Sequence, residues 1–358
     1  MKPRARMLVV ALLALAACLP VWATTRYVSS TGAGQYSTLI SAYGAAAAGD
    51  TILVGPGTYN EGGGINQQFR LVWIGAGWDQ TIVNLGTNWY INQAPASRSE
   101  VQGMRIEGVN NCVYPVNGAD SVVIRRCLIR ANGGYPIYAL SNAGRLYVEE
   151  CILISSAGTD VVAVPSGACL IRGSVLTTSA ASPTTNALAN GAGNAGTIEL
   201  YNNVFVSLSR IFNLPSGSQP VIAVNNAFYA WGATPTYGTY PVSSTFDYNA
   251  SSGPAAPGTN GVTITGNPYV NFAGPLYVIG TTDFHLVGGS NMINGGHPSL
   301  LDLDGSRSDI GIYGGPKPLV DNGVPNYPWA VNIVLTPNLV GQGTPVNATA
   351  IGRVGPQY

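Results

Sequence analysis

Three isolated acidic residues are the candidates for acid–base chemistry in this sequence. Glycoside hydrolysis requires two carboxyl groups about 5–10 Å apart. Glu107, Asp120 and Asp160 lie in the middle of the chain, where folding would have to bring two of them together. Neither a Ser-His-Asp set nor a G-x-S-x-G elbow accompanies them. The three carboxylates are therefore weak candidates for catalysis, without a complete catalytic motif.

A short run of aspartates is the candidate metal site. Asp302, Asp304 and Asp309 surround Gly305, and calcium loops combine closely spaced carboxylates with a turn that needs glycine. The rest of the EF-hand pattern is absent. The alternative is an Asx-rich turn in which Arg307 neutralises the carboxylates. Calcium is thus the one cofactor that the sequence suggests, against the alternative of none.

Four aromatic residues cluster in the first third of the chain, namely Trp73, Trp78, Trp89 and Tyr90. Aromatic rings are apolar on their faces and can stack on sugar rings when they are exposed. The cluster is therefore a candidate carbohydrate-binding surface. Burial under loops or against the end of the domain is an equally good interpretation of the same residues.

A repeat must position these side chains. Similar short segments recur in steps of 23 or 24 residues, with one step of 29, and align on Met104, Cys127, Cys151, Ser174, Asn203 and Asn226. Each segment has the pattern of short strands and no helical pattern. Repeats of this size that cannot bury an apolar face alone must stack on their neighbours. The repeat therefore predicts a parallel β-helix in which each copy forms one coil.

Alternation within the repeat predicts which side chains point inward. The positions three before and two after the aligned column are apolar in every copy, as in Val101 and Ile106. Residues along a strand alternate between the two faces, so these positions should line the bore. The outward column Arg125, Glu149 and Arg172 alternates in charge. A surface ladder of salt bridges, continued by Arg126 and Glu150, is favoured over a site for sugar acids.

The aligned column also places Cys127 and Cys151 on adjacent coils. A strand spacing of about 4.8 Å lies within the Cα separation that a disulfide allows, about 4.4–6.8 Å. Two free thiols packed in the bore as small apolar groups are the favoured alternative. The sequence leaves the redox state of this pair open.

The segment AAAAGDTILVGPGTYNE, residues 45–61, resembles the opening of proteins in the pectin-lyase-like right-handed β-helix superfamily. Those proteins begin with a capping helix and a strand of the form G-D-T-I-x-V-x-P-G-T-Y. The blocks Asp283 to Leu286 and Asp302 to Gly315 resemble terminal coils of secreted bacterial β-helix repeat proteins. The resemblance extends from Tyr27 to about Pro316. It implies an all-β, right-handed, single-stranded parallel β-helix with an N-terminal capping helix within residues 36–48.

Members of that superfamily include lyases, hydrolases and esterases that act on polysaccharides, and surface proteins without known activity. Pectate lyases carry an acidic calcium site and an Arg or Lys base, but here Arg125 and Arg172 flank a single acid, Glu149. The N-T-D, D-D, H-G and R-I-K blocks of polygalacturonases do not occur, nor does a pectin methylesterase block. The resemblance therefore supports the fold and selects no enzyme family.

The N-terminus has the features of a signal peptide spanning residues 1–23. Lys2, Arg4 and Arg6 precede an apolar run that is too short to cross a membrane comfortably, and small residues favour cleavage after Ala23. A rival lipobox ending at Cys18 would lipidate that cysteine, but the apolar residues after it favour ordinary secretion. The protein is predicted to be exported to the extracellular space, the periplasm or the cell surface.

Composition excludes some partners. The formal net charge is zero and charged residues make up 9% of the chain, so no nucleic-acid footprint is visible. No transmembrane segment is expected in the mature chain. Residues 24–316 should form the β-helix, and the tail at 317–358 should add a short strand pair or a cap extension.

The leading hypothesis is a secreted or cell-surface β-helix protein that binds extracellular polysaccharide or has a structural role, without catalysis. A divergent polysaccharide lyase or glycoside hydrolase is the alternative. A component of an anchored filament or adhesin is a third possibility, which the tail would serve.

Overall fold

The chain folds as a solenoid of short strands. The computed structural model describes residues 23–93, 97–116, 121–140, 144–156, 158–179, 185–189, 196–231, 235–272, 274, 276–336 and 345–358. Three strands per coil are separated by corners, and each strand pairs in parallel with its counterpart one coil away. This is the parallel β-helix that the repeat predicts, in the right-handed form that the resemblance implies.

The strands are short because every coil has to turn three times. The first half contains β1 (Thr25–Val28), β2 (Thr51–Val54), β3 (Gly57–Glu61), β4 (Ile65–Gln67), β5 (Val72–Gly75), β6 (Thr81–Leu85), β7 (Trp89–Ile91), β8 (Arg98–Gln102), β9 (Arg105–Gly108), β10 (Val113–Pro115), β11 (Ser121–Arg125), β12 (Leu128–Ala131), β13 (Ile137–Tyr138), β14 (Arg145–Glu149), β15 (Ile152–Ser155) and β16 (Val162–Ala163). The second half contains β17 (Cys169–Arg172), β18 (Val175–Thr178), β19 (Asn186–Ala189), β20 (Ile198–Tyr201), β21 (Val204–Val206), β22 (Arg210–Asn213), β23 (Val221–Val224), β24 (Ala227–Tyr229), β25 (Thr236–Thr239), β26 (Thr245–Asp247), β27 (Ala250–Ser251), β28 (Val262–Thr263), β29 (Tyr269–Asn271), β30 (Asp283–Leu286), β31 (Trp329–Thr336) and β32 (Asn347–Arg353).

Three long sheets run the length of the solenoid. Sheet A contains β1, β2, β5, β8, β11, β14, β17, β20, β23 and β26. Sheet B contains β3, β6, β9, β12, β15, β18, β21, β24, β27 and β28, and sheet C contains β4, β7, β10, β13, β16, β19, β22 and β25. The inward positions of all three sheets form one continuous core. The columns that the sequence predicts to face the bore, such as Val101 and Ile106, are fully buried.

The corner between sheets A and B uses left-handed backbone. Arg126, Glu150, Asn202 and Asn225 occupy it with φ between 51° and 59°. The next residue points inward, and on the later coils it is an asparagine. The amide N–H of Asn203 donates to the side-chain oxygen of Asn226 at 3.0 Å. On the earlier coils the same column holds Cys127 and Cys151, which are buried free thiols.

A short helix, α1 (Leu39–Ala45), closes the first coil. Thr38 caps it by accepting a hydrogen bond from the amide of Ser41. The Glu61 carboxylate accepts further hydrogen bonds from the amides of Leu39 and Ile40, at 2.6 and 3.3 Å. Leu39 joins the core of the bore. The helix is shorter than the predicted span, and none of the helices in the described part of the chain is long and apolar enough to cross a membrane.

The C-terminal segment does not add coils after β28, which differs from the prediction that the β-helix extends to residue 316. After β28 the chain crosses the outer face of sheet B. Its apolar residues, including Tyr269, Phe284 and Ile312, pack against outward residues of sheet B such as Leu128 and Val204. The apolar outer face of sheet B requires such a cover, because the hydrophobic effect disfavours its exposure to water.

The tail returns to the N-terminal coils. β31 and β32 form an antiparallel pair, and Trp329 packs against Leu53 and Ile74 on the outer face of sheet A. The Arg353 guanidinium binds both carboxylate oxygens of Asp79, with a hydrogen bond of 2.9 Å to one of them. An apolar contact and an ion pair thus fix the tail to the N-terminal coils of the β-helix.

Candidate functional site

The predicted aromatic cluster separates into buried and outward residues. Trp73 and Trp89 are fully buried and pack edge to face in the bore, with ring centroids 5.0 Å apart. The indole N–H of Trp73 donates to the side-chain oxygen of Gln67 at 3.0 Å. No sugar ring can reach these two indoles, so the interpretation of burial applies to them. Trp78 is 7% exposed and lies on the sheet B side.

Tyr90 belongs instead to a tyrosine ladder on the outer face of sheet C. Strand pairing aligns Tyr90 with Tyr114 on the next coil, and Tyr138 follows on the coil after that. Their ring centroids are 5.1 and 4.7 Å apart, and the three rings are partly exposed. The tyrosine ladder, defined as Tyr90, Tyr114 and Tyr138, therefore presents partly exposed rings along three successive coils.

An amide cluster continues this face toward the N-terminus. Asn66 on β4 is aligned with Tyr90 on β7 by the parallel strand pairing. The side-chain oxygen of Asn66 accepts a hydrogen bond from Gln68 at 2.5 Å. Asn92 donates to Gln68 at 3.4 Å. All of these residues alternate with buried ones, so they point outward from sheet C. The amide cluster, defined as Asn66, Gln68 and Asn92, provides hydrogen-bond donors and acceptors beside the tyrosine ladder.

Asp160 lies at the other end of the tyrosine ladder. Its carboxylate accepts hydrogen bonds from the amide and the side chain of Asn186, at 2.9 and 2.6 Å. Tyr135 packs against Tyr138 with centroids 5.2 Å apart. Burial raises the pKa of Tyr135, and the negative charge of Asp160 raises it further. Asp160 is therefore held as an acceptor beside the aromatic face.

The structure does not bring the other two catalytic candidates, Glu107 and Asp120, together with Asp160 among the described residues. Glu107 lies on β9 in sheet B, where its carboxylate accepts a hydrogen bond of 2.6 Å from Arg105 and lies 3.9 Å from Arg130. Its coil is two coils before that of Asp160. Asp120 lies outside the described residues. Glu107 and Asp160 thus occupy different elements, and each is already bound by its neighbours.

The predicted charge ladder is present on sheet A. Glu149 accepts a hydrogen bond from Arg125 at 2.8 Å and pairs with Arg172. Burial alone would raise the pKa of Glu149, but the two guanidiniums outweigh it and hold this pKa below its ordinary value. Arg126 and Glu150 differ from the prediction, because they form a buried pair at the corner, 4% and 1% exposed, rather than a surface pair.

A small basic cavity adjoins this ladder. It has a volume of about 180 Å³ and is lined by residues that include Arg172, Tyr201 and Lys317. Burial lowers the pKa of Lys317. Glu149 opposes this effect, and Arg125 and Arg172 lower the pKa further. The cavity combines an ammonium group of lowered basicity with a guanidinium.

The aspartates predicted to bind calcium are hydrogen-bonded within their turn. The Asp302 carboxylate accepts the amide N–H of Asp309 at 3.1 Å, and Asp304 accepts the amide of Ser306 at 2.8 Å. Asp309 accepts the amide of Asn294 at 2.7 Å. Within the described ranges, no group of three or more His, Cys, Asp or Glu side chains is arranged to hold a metal ion. The bond at Asp304 is that of an Asx turn, whereas Asp302 and Asp309 accept from amides further away along the chain. Calcium at this turn stays a prediction.

Sequence reasoning missed Tyr114 and Tyr138. Both follow Tyr90 at intervals of one coil, 24 residues each, which is the period of the repeat. The signal was therefore available in the sequence. Tyr90 was instead grouped with tryptophans that are its neighbours along the chain and that point in other directions.

One comparison with solved structures supports the fold. No family model matches the sequence, and no curated protein matches it. Among solved structures the chain is similar to the pectate lyase Pel9A, with a TM-score of 0.54 and 15% identity over 81% of this chain and 96% of that one. A pectin methylesterase from carrot gives a TM-score of 0.39 at 12% identity, covering 67% of this chain and 88% of that one. The three parallel sheets and the similarity to Pel9A show the pectin-lyase-like right-handed parallel β-helix fold.

Proposed function

We propose that this is an exported β-helix protein that binds a polysaccharide along the outer face of sheet C without cleaving it. The tyrosine ladder, flanked by the amide cluster, is the observation that carries the proposal. Partly exposed rings offer apolar faces to sugar rings, and amide side chains pair with sugar hydroxyls. Repetition along the coils suits a ligand that is itself a repeating chain.

A non-catalytic role fits the state of the candidate acids. A general acid or base must have a lone pair or proton within reach of the substrate. Asp160 is bound by Asn186, and Glu107 is bound by two arginines. The signal-peptide pattern supports export, and the fold neighbour Pel9A is named for pectate, which makes acidic plant polysaccharide the first ligand to test.

The test measures retention of the mature chain, residues 24–358, in affinity electrophoresis through gels that contain pectate or a neutral glucan. Tyr114→Ala removes the central ring, and we expect its affinity to fall at least about tenfold, which corresponds to about 1.4 kcal/mol. Tyr147→Ala on sheet A is the matched control and should behave like the wild type. Equal retention of the Tyr114→Ala variant would overturn the proposal. The same gels, run with calcium and with EDTA, show whether the aspartates at Asp302, Asp304 and Asp309 contribute.

A polysaccharide lyase is the second candidate, and the cavity beside Lys317 favours it. Abstraction of a proton next to a carboxylate needs a base of lowered pKa and a cation that neutralises the carboxylate. Lys317 and Arg172 supply these two features. We expect a lyase to release products with unsaturated ends, which absorb in the ultraviolet, and Lys317→Met to abolish that release. Retention without product supports the binding proposal, whereas product formation replaces it with the lyase. If the protein shows neither retention on polysaccharide nor product release, a structural role at the cell surface is the function that remains.

A further inference from the structure

A larger cavity lies on a different face, between sheet B and the C-terminal segment that covers it. Its volume is about 350 Å³, within the range of small-molecule sites. Trp78 and Ile152 from the coils form one side. The covering segment supplies the other side, with Tyr277, Asp283, His285, Tyr313 and Asp321.

The polar groups of this cavity form two fixed pairs. Asp283 accepts hydrogen bonds from the amide and the Nδ1 atom of His285, at 2.8 and 2.7 Å. The hydroxyl of Tyr313 donates to Asp321 at 2.7 Å. The rings of His285 and Tyr313 stack with centroids 3.7 Å apart, which joins the two pairs into one wall. One oxygen of each carboxylate and Nε2 of His285 have no hydrogen-bond partner among the described residues.

Two aromatic residues, Trp78 from the coils and Tyr277 from the covering segment, add unused donors to the lining. Trp78 and Tyr277 are each 7% exposed, so both rings are held firmly. Neither the indole N–H of Trp78 nor the hydroxyl of Tyr277 has a protein partner within the described part of the chain. Burial raises the pKa of Tyr277 to about 12, against the opposing effect of Arg130 and Arg105. Its hydroxyl is therefore a neutral donor at every physiological pH.

The charges at the cavity disfavour an anion. Asp283 and Asp321 contribute two carboxylates to the lining. Arg105 and Arg130 lie nearby, but Glu107 engages both of them. A carboxylate is a strong acceptor for a neutral hydroxyl, whereas a second carboxylate beside it would be repelled. The cavity therefore suits a ligand with several hydroxyls and no negative charge.

We propose that this cavity binds one neutral sugar residue. Its apolar face would lie against Trp78 and Tyr277, and its hydroxyls would donate to Asp283 and Asp321 and accept from Tyr277. The site faces away from sheet C, and its argument does not depend on the tyrosine ladder. The protein would then hold two kinds of carbohydrate on two faces, a polymer on sheet C and a single neutral unit on sheet B.

The experiment is saturation-transfer NMR of the mature wild-type chain with methyl glycosides of glucose, galactose and mannose, and with galacturonate and glucosamine as competitors. We expect at least one neutral glycoside to bind and galacturonate to compete at least about tenfold more weakly. The Asp283→Asn and Tyr277→Phe variants, which preserve shape, should each weaken binding at least about fivefold. His297→Gln is the control, because this second histidine lies outside the cavity.

Three results would overturn the inference. They are no binding of any neutral glycoside, tighter binding of galacturonate or glucosamine, or unchanged affinity in both cavity variants. The outcome is separable from that of the sheet C proposal. Tyr114→Ala should keep the affinity for the neutral glycoside, and Asp283→Asn should keep the retention on polysaccharide. Loss of both functions in Tyr114→Ala or in Asp283→Asn would indicate a folding defect, which circular dichroism of that variant would reveal. The affinity of the folded Tyr277→Phe protein for the neutral glycoside would then test the inference.

Discussion

Replacing Arg126 by Met should destabilise the protein more than any exposed charge substitution. Arg126 donates to Glu150 at 2.6 Å and to the main-chain carbonyls of Val324 and Pro356, each at 3.1 Å. Methionine would leave Glu150 as an unpaired carboxylate in a site where its side chain is 1% exposed. Breaking a buried pair in this way costs roughly 3–5 kcal/mol. The tail should also loosen, because two of its carbonyls lose their donor.

Urea denaturation measures the effect as a shift of the midpoint at constant slope, and limited proteolysis measures release of the tail. Arg125→Met on the same coil is the matched control. Glu149 keeps Arg172 in that variant, so the cost should stay near 1 kcal/mol or less. Adding Glu150→Gln to Arg126→Met removes the stranded charge and should recover most of the loss. A cost below about 1 kcal/mol for Arg126→Met, or a double variant no more stable than the single one, would refute this reasoning.

Three further predictions concern the core, the thiols and acid stability. Trp73→Phe should destabilise the fold by about 1–3 kcal/mol, because it leaves a void and removes the donor to the side-chain oxygen of Gln67 in the bore. Its retention on polysaccharide should match the wild type once the folded fraction is equal. Burial raises the pKa of Cys127 to about 12, so a thiol reagent should label it only after unfolding, and reductant should leave the denaturation midpoint unchanged; a midpoint lowered by reductant would indicate a disulfide to Cys151. Burial alone would raise the pKa of Asp50, but the amides of Ala47 and Thr24 and the Arg26 guanidinium outweigh it and hold this pKa below its ordinary value of 3.8. The stabilisation that Asp50 provides is therefore complete above about pH 4 and is lost as pH falls through the lower, folded-state pKa, so the stability gap between the wild type and Asp50→Asn should close in acid.

The coils were predictable because one local rule generates them. A side-chain period of two and a coil period of 23 or 24 residues decide which residues enter the bore, and Val101 and Ile106 follow that rule. Corner residues such as Arg126 and Glu150 break the alternation, because their backbone turns with positive φ. Their burial depends on the tail, which lies about 200 residues further along the chain. No local pattern encodes such a contact.

The covering segment was mispredicted for a related reason. Phe284 and Ile312 have the spacing of strand residues, and a terminal coil would bury them equally well. The segment instead covers the apolar outer face of sheet B, where Leu128 and Val204 need partners. The sequence of one strand shows whether its outward residues are apolar. It does not show which distant segment covers them. The sheet B cavity, which forms only at that junction, was therefore beyond the reach of the sequence.

The positions of the covering segments support the proposal that a polysaccharide binds on sheet C. The C-terminal segment covers sheet B, and Trp329 of the tail covers the start of sheet A. Among the described residues, neither apolar cluster extends to the outer face of sheet C. On its first four coils the outward residues Asn66, Tyr90, Tyr114 and Tyr138 are amide or tyrosine side chains, which tolerate water and still offer apolar faces. Ala163 and Ala189 continue the column on the later coils and are buried. In the proposed function, a ligand with ring faces and hydroxyls would replace the water that contacts the tyrosine ladder and the amide cluster.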